Sequence, residues 1–514
     1  MAGTPVWSVD PRTGKQREQV AVEATPSEVD RAVRAADAAR GALADRAARI
    51  VFLRAAADLL DASAAHVVEA ADAETALGPG RLTGELARTT YQLRAVADAV
   101  EDGAYLDVRI DRADPALAPP RPDLRRYKVP LGVVAVYAAS NFPLAFSVPG
   151  GDTASALGAG CPVVVKIHPD HPATSELCAS LLRRAAEDSG LPADVVSVVH
   201  GFDAGLELIR HPLVAAAGFT GSIRGGRALF DAAAARPVPI PFHGELGSLN
   251  PVVVTPAAAA ERAEEIGAGL AGSVTLGVGQ FCVKPGLVLV PEGADGDRLT
   301  GALTKALGET EPGVLLDHRM RDGFVAGVGE RAALPGVVAP VTPGAGGEHT
   351  VGAGYLTLAA RGLLADPRAY GTLLEECFGP VTVVVRYADQ GEASAVLALL
   401  PGNLTATLQL SAAECAGDNA TPAPAEQLIG QVTRLAGRVV VNAWPTGVAV
   451  APAQHHGGPY PAATSHSTSV GGTAIERWLR PVAYQSVPDP LLPPELREAN
   501  PLGLPRLVTG APTA

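Results

Sequence analysis

The stretch Leu276-Gly-Val-Gly-Gln-Phe-Cys-Val-Lys-Pro-Gly286 places one thiol, Cys282, between glycines on its upstream side and Pro-Gly downstream. Glycine permits close approach of backbone to backbone or to a ligand. A thiol on such a turn can be presented to a substrate, with backbone N–H groups aimed at the same point. Upstream, Phe242-His-Gly-Glu-Leu-Gly-Ser-Leu-Asn-Pro251 holds a carboxylate, Glu245, among glycines. Further upstream, Ala138-Ala-Ser-Asn-Phe-Pro-Leu-Ala-Phe146 offers an amide, Asn141, at a strand-to-helix turn. A nucleophile, a base and an oxyanion donor suffice for acyl chemistry on an aldehyde.

Around these motifs the chain reads as α/β. Thr25-Pro-Ser-Glu28 has the spacing of a capping box, so the alanine-rich stretch that follows, to about Ala76, is expected to be helical. Arg81 to Val100 reads the same way. From Val133 short apolar runs alternate with helical segments: Val133–Tyr137, Pro162–Ile167, Val195–Val199, Ala215–Phe219 and Val238–Phe242. Continuous apolar strands between helices mean a parallel sheet covered on both faces. A second α/β block starts at Asn250, with strands expected at Gly286–Val290, Val381–Val385, Leu404–Leu408 and Arg438–Asn442. Asp107–Arg126, rich in Pro, Asp and Arg, fits neither block and reads as an excursion from the first. The proline-rich tail after Val487 is expected to be extended or disordered.

Composition bounds the function. A chain of 514 residues needs two or three domains. With 47% hydrophobic but only 4% aromatic residues, the cores must be built from Ala, Val and Leu. A net charge of −13 argues against nucleic acid or an anionic membrane as partner. No apolar run reaches the length of a membrane span, and no signal peptide is read at the N-terminus. Five cysteines, an odd number with no C-x-x-C pair, fit a reduced, cytoplasmic protein.

The three motifs, in this order and at these intervals, resemble the aldehyde dehydrogenase superfamily from Val6 to Gln485. Gly218-Phe-Thr-Gly-Ser222 and Glu376-Cys-Phe-Gly-Pro380 match it too. Gly84-Glu-Leu-Ala-Arg-Thr-Thr90, Lys166-Ile-His-Pro-Asp-His-Pro172, Gly277-Val-Gly-Gln-Phe-Cys282 and Gly457-Gly-Pro-Tyr-Pro-Ala462 are similar to its NADP-accepting and 2-oxoglutarate-semialdehyde branch. The resemblance implies two Rossmann-like parallel-sheet domains with a small β oligomerisation element. Residues 1-107 and 127-249 would bind the dinucleotide, 250-442 would carry the nucleophile, 108-126 and 465-514 would form an oligomerisation hairpin and tail, and 443-464 would return to the cofactor domain. It further implies NAD(P)-dependent oxidation of an aldehyde through a thioester on Cys282, with Glu245 activating water and Asn141 joining the Cys282 N–H at the oxyanion. A small-molecule aldehyde and a homodimer or homotetramer follow from it. The rivals are a CoA-acylating relative, which the retained Glu245 disfavours, and an inert binding protein of the same fold.

Cofactor contacts are carried over residue by residue. Gly221 and Ser222 lie at the N-terminus of an expected helix, where pyrophosphate meets free N–H groups. Lys166 matches the adenosine-ribose lysine, Glu376 the nicotinamide-ribose glutamate, and Phe378 lies beside the nicotinamide. Many NAD-preferring relatives carry a glutamate three residues past the lysine. Here Pro169 stands there, with His168 and His171 nearby, so NADP is favoured over NAD. A metal at His168 and His171 is not expected without a Cys or acidic cluster.

Each motif has a plainer reading. Cysteines 161, 178, 377 and 415 read as structural. Asn141 would also cap a helix beginning near Phe142, and His243 is a rival base read as structural. On the helix from Gly80, Arg81 and Arg88 share a face. With Arg94 they read either as solvated charges or, for Arg88 or Arg81, as a grip on a substrate carboxylate.

Overall fold

The computed structural model describes residues 3–416, 422–445 and 447–513. The first α/β unit is built on a five-stranded, wholly parallel sheet. Its strands lie in the order Val196–Val199, Val163–Lys166, Val133–Tyr137, Val214–Thr220, Phe242–Glu245. Chain order reverses on either side of Val133–Tyr137. At such a switch point the connecting helices diverge and leave a crevice at the carboxyl ends of the strands. Lys166, Thr220 and Glu245 are the last residues of three of these strands and therefore line one edge.

The second sheet has seven strands, with Val252–Val254 and Leu287–Pro291 near its centre. All its pairings are parallel except that of Val338–Val341 with Gly354–Ala359. Both sheets are buried on two faces, which explains the unbroken valine runs. A third, five-stranded sheet joins Val108–Asp111 and Leu124–Pro130 to Leu479–Gln485 and to the tail strands Arg506–Val508 and Ala511–Thr513. The tail is thus ordered by pairing rather than loose. Residues 462–478 run back along the first sheet: Glu245 bridges Ala463, and Trp478 is fully buried in the first unit's core.

Thr25 does form a capping box with Glu28, and the long helix runs from Pro79 to Asp102. One expected strand is misplaced. Val238 is not in a strand and is 72% exposed. Pro237, Pro239 and Pro241 remove alternate N–H donors, so ladder pairing starts only at Phe242. Glu245 accordingly belongs to the strand rather than following it. Among the described residues, no helix is long and apolar enough to cross a membrane.

Candidate functional site

Cys282 is reached through a turn of unusual backbone. Gly277, Val278 and Gly279 all have positive φ, at 56°, 58° and 68°. A Cβ at position 279 would lie 2.3 Å from the Gly379 backbone, so only glycine fits. For β-branched Val278 this conformation is strained, and its packing beside Leu315 and Phe324 holds it. Downstream, Asn250 Nδ2 donates to the carbonyls of Cys282 (2.8 Å) and Lys284 (3.0 Å). Lys284 Nζ donates to the Val381 carbonyl at 2.6 Å. The turn is fixed on both sides, as a presented nucleophile requires.

The Cys282 Sγ lies 3.6 Å from Nε2 of His456, and that nitrogen is 2.9 Å from Glu245 Oε1. Ser469 Oγ donates to Glu245 Oε2 at 3.1 Å. Burial alone would raise the Glu245 pKa, but interactions with His456, Cys282 and Ser469 outweigh it and hold the carboxyl below its ordinary value. Burial, reinforced by the Glu245 charge, pushes the Cys282 thiol well up. The resting pair is therefore an ionised carboxylate beside a protonated thiol.

Asn141 Nδ2 donates to the Gln280 carbonyl at 3.0 Å, two residues from the thiol. It caps no helix: residues 142–150 form turns and the next helix starts at Gly151. The N–H groups of Leu144 and Ala145, which a cap would satisfy, instead donate to Glu85 Oε1 at 2.8 and 2.9 Å.

A groove runs from the thiol along the strand ends. A cavity of about 240 Å³ is lined by Asn141, Glu245, Cys282, Glu376 and Phe378. It shares Ser140, Gly221, Ser222 and Met320 with a second, of about 400 Å³, lined by Lys166, His168, Phe202 and Leu229. Ser222 caps the helix Ile223–Ala234 by accepting from Gly225 N–H. A Cβ at Gly221 would lie 2.7 Å from the Phe219 ring. Lys166 Nζ sits 4.5 Å from the centroid of Phe202, and burial lowers its pKa to about 8. Glu376 is raised to about 7 by burial, against the opposing charge of Lys284. Apolar walls, a buried cation and a helix N-terminus fit a dinucleotide with its pyrophosphate at the helix end. Pro169 lines a neighbouring cavity with Asp170 and Arg319 rather than the groove itself. The next residue, Asp170, is a carboxylate whose side chain is 4% exposed and lies 3.5 Å from Arg319.

His456 was missed in the sequence, where its segment was read only as a return to the cofactor domain. The adjacent pair His455-His456 before Gly457-Gly458 was the available signal. The rival, His243, is tied to Ser465 Oγ and the Arg477 carbonyl, each at 3.0 Å, and burial lowers its pKa to about 3. His171 is likewise engaged at both nitrogens, by Ser175 and the Ala139 carbonyl. Cys161 and Cys178 are buried, with pKa values raised by burial to about 11 and about 12. The arginines divide. Arg94 is the surface residue, paired with Asp58 and Asp61. Arg81 packs against the Phe142 and Phe281 rings, at 5.0 and 4.6 Å, and donates to the Asn141 carbonyl at 2.5 Å. Arg88 donates from Nε to the Val448 carbonyl at 2.9 Å and lies over Phe146. Neither is a freely solvated charge.

A doubly wound fold whose groove ends on a thiol and a carboxylate has the architecture of a dinucleotide-dependent oxidoreductase. The chain belongs to the aldehyde dehydrogenase family, whose profile matches residues 2–458, and it is an NAD(P)-dependent oxidoreductase acting on aldehydes. It is 48% identical over 470 residues to alpha-ketoglutaric semialdehyde dehydrogenase 2 of Azospirillum brasilense, covering 90% of this chain and 87% of the relative. It is 40% identical over 502 residues to alpha-ketoglutaric semialdehyde dehydrogenase of Acinetobacter baylyi, covering 96% and 92%. In fold it is similar to succinic semialdehyde dehydrogenase from Streptococcus pyogenes, solved with NADP+, with a TM-score of 0.77 at 17% identity, covering 94% of this chain and 100% of that one.

Proposed function

We propose that the protein oxidises 2-oxoglutarate semialdehyde to its dicarboxylic acid with NADP or NAD, through a thioester on Cys282. The observation that carries this is the chain Cys282 Sγ, His456 Nε2 and Glu245 Oε1, at 3.6 and 2.9 Å, at the head of the groove. Glu245, kept ionised, takes the thiol proton and the sulfur adds to the aldehyde carbon. The Asn141 Nδ2–H and the backbone N–H of Cys282 hold the oxygen that becomes negative. Arg81 holds Asn141 through its carbonyl, leaving the amide nitrogen to turn from Gln280 toward the oxyanion. A bound dinucleotide supplies the hydride acceptor that converts the adduct into a thioester. Lys166 and Glu376 would hold its two riboses, Gly221 and Ser222 its pyrophosphate, Phe378 would flank the nicotinamide, and His168 would border the adenosine ribose, with Pro169 beside it outside the groove. Once Glu245 has passed the thiol proton to solvent, it takes a proton from water, whose oxygen attacks the thioester and releases carboxylate and thiol.

The substrate follows from the names of the two relatives and from Arg88. Its guanidinium is anchored by Nε to the Val448 carbonyl and is close enough to Cys282 to act on the thiol's charge, and we assign its Nη groups to the distal carboxylate. We also assign self-association, as a homodimer or homotetramer in the cytoplasm, to the third sheet, where Leu479–Gln485 is an edge strand. Rapid mixing of the Glu245→Gln variant tests the mechanism. The burst of reduced cofactor should slow, because Glu245 also takes the thiol proton, and steady turnover should fall by about 10²- to 10⁴-fold. Wild-type steady turnover in that variant would remove Glu245 as the base. For the substrate, Arg88→Ala should raise KM for 2-oxoglutarate semialdehyde and leave hexanal unaffected.

A further inference from the structure

Cys282, Glu245 and His456 bring sulfur, carboxylate oxygen and imidazole nitrogen within 4.8 Å of one another. The sequence expectation of no metal rested on His168 and His171. This donor set lies elsewhere, and it draws its three residues from segments far apart in the chain.

We propose that these three residues form a zinc-binding site, and that Zn²⁺ seated there is a reversible inhibitor that competes with the aldehyde for the sulfur. The inference goes beyond the proposed function, because it needs only the geometry of the three donors. A tetrahedral zinc with bonds of about 2.0–2.1 Å to nitrogen and about 2.3 Å to sulfur sets those ligands about 3.6 Å apart. The observed Sγ to Nε2 separation is 3.6 Å. The same geometry sets nitrogen and carboxylate oxygen about 3.3 Å apart, against 2.9 Å for Nε2 to Glu245 Oε1, so the carboxylate need only back away slightly. Charge favours the ion as well. Thiolate and carboxylate together bring two negative charges, which a divalent cation neutralises in a site where Glu245 and His456 side chains are only 3% and 1% exposed. The cations Arg81, Arg88 and Arg438, all close enough to act on the thiol's charge, oppose it.

Protons balance simply. Glu245 is already ionised, and the thiol releases one proton to solvent. The His456 proton moves to Nδ1, which is buried and has no hydrogen-bond partner among the described residues. The groove side of Cys282 and Glu245, lined also by Asn141, supplies the open fourth position for water. Loss of the thiolate nucleophile to the ion stops turnover without touching the Lys166 end of the groove.

The test titrates ZnCl₂ into the full-length reduced protein carrying Cys415→Ser, which removes the exposed thiol. Bound metal is measured by equilibrium dialysis. One zinc per chain is expected at micromolar free ion, with dinucleotide affinity unchanged and inhibition reversed by a chelator. Cobalt as a probe should give a thiolate charge-transfer band and the intense visible bands of a four-coordinate ion. Cys282→Ala should abolish the charge-transfer band, and His456→Phe should weaken zinc binding at least about 10-fold. Glu245→Gln, which keeps the shape and loses the charge, guards against misfolding of either and should also weaken binding. The proposal is overturned if no zinc binds below millimolar, or if binding in His456→Phe and Glu245→Gln equals wild type. Those last results would reduce the effect to capture by the thiol alone.

Discussion

The two ends of the groove are built on different principles. At the thiol end the polar groups are enclosed and tied to one another: Glu245 by His456 and Ser469, the Cys282 carbonyl by Asn250, Asn141 by Gln280 and Arg81. At the adenosine end the groups are fewer and looser. Lys166 rests on an aromatic ring, and Asp170 stands one residue past Pro169 and shares Arg319 with Asp317. Bond making needs reacting atoms held to within a fraction of an ångström. Choice between two dinucleotides needs only a difference in charge near one hydroxyl. The thiol end should therefore fail by orders of magnitude when a single group is removed, and the adenosine end by small factors.

The largest effect belongs to Cys282→Ala. Aldehyde oxidation should fall by at least about 10⁴-fold, while NADP affinity measured by cofactor fluorescence stays within about twofold. If dinucleotide binding were lost too, the two ends would not be separable. Cys161→Ala and Cys178→Ala should retain most activity.

His456→Phe comes next, with a loss in kcat of about 10- to 100-fold. The distinguishing measurement is the pH profile of Cys282 alkylation by iodoacetamide in the free protein. Removing the hydrogen bond from His456 lets burial raise the Glu245 pKa, so less of the carboxyl is ionised to accept the thiol proton and alkylation slows at neutral pH. An unchanged profile would mean that His456 only fills space.

This contrast also explains what the sequence disclosed. The glycines at 277 and 279 and the valine strands were legible because each reflects a local constraint: positive φ in one case, burial on both faces in the other. Glu245 was legible through its flanking glycines, since Gly244 and Gly247 leave no room for side chains beside it. His456 was not, because its partners lie 174 and 211 residues away, and nothing local marks a histidine that works by long-range contact. The same holds for Arg81 and Arg88. Helix periodicity put them on one face, but only the fold shows that the face is turned inward against Phe142, Phe146 and Phe281. The supposed Asn141 cap failed for a related reason: Glu85, 56 positions earlier in the sequence than Asn141, takes the N–H groups that a local cap would have satisfied.

The smallest effect, at the adenosine end, is a matter of protons. Lys166 has an ordinary pKa of 10.5, lowered by burial to about 8. The unfolded chain thus holds this proton more tightly than the folded one. The charged lysine costs stability in full below about pH 8, and that cost fades between about pH 8 and 10.5 as the folded protein becomes neutral first. Cofactor binding runs the other way. The ammonium attracts the 2′-phosphate of NADP, so NADP affinity should be flat below about pH 8. Above it, affinity should weaken by no more than about tenfold per pH unit as the free protein loses the charge. NAD, lacking that phosphate, should change less, and the NADP/NAD preference should shrink with rising pH. Pro169→Glu should shift preference toward NAD by about tenfold, equivalent to ~1.4 kcal/mol, by adding a negative charge next to His168 at the border of the groove. Lys166→Met should flatten the NADP profile across the same range. A profile that stays steep in Lys166→Met would assign the titration to another group, with Glu376, raised to about 7 at the nicotinamide end, the first to examine.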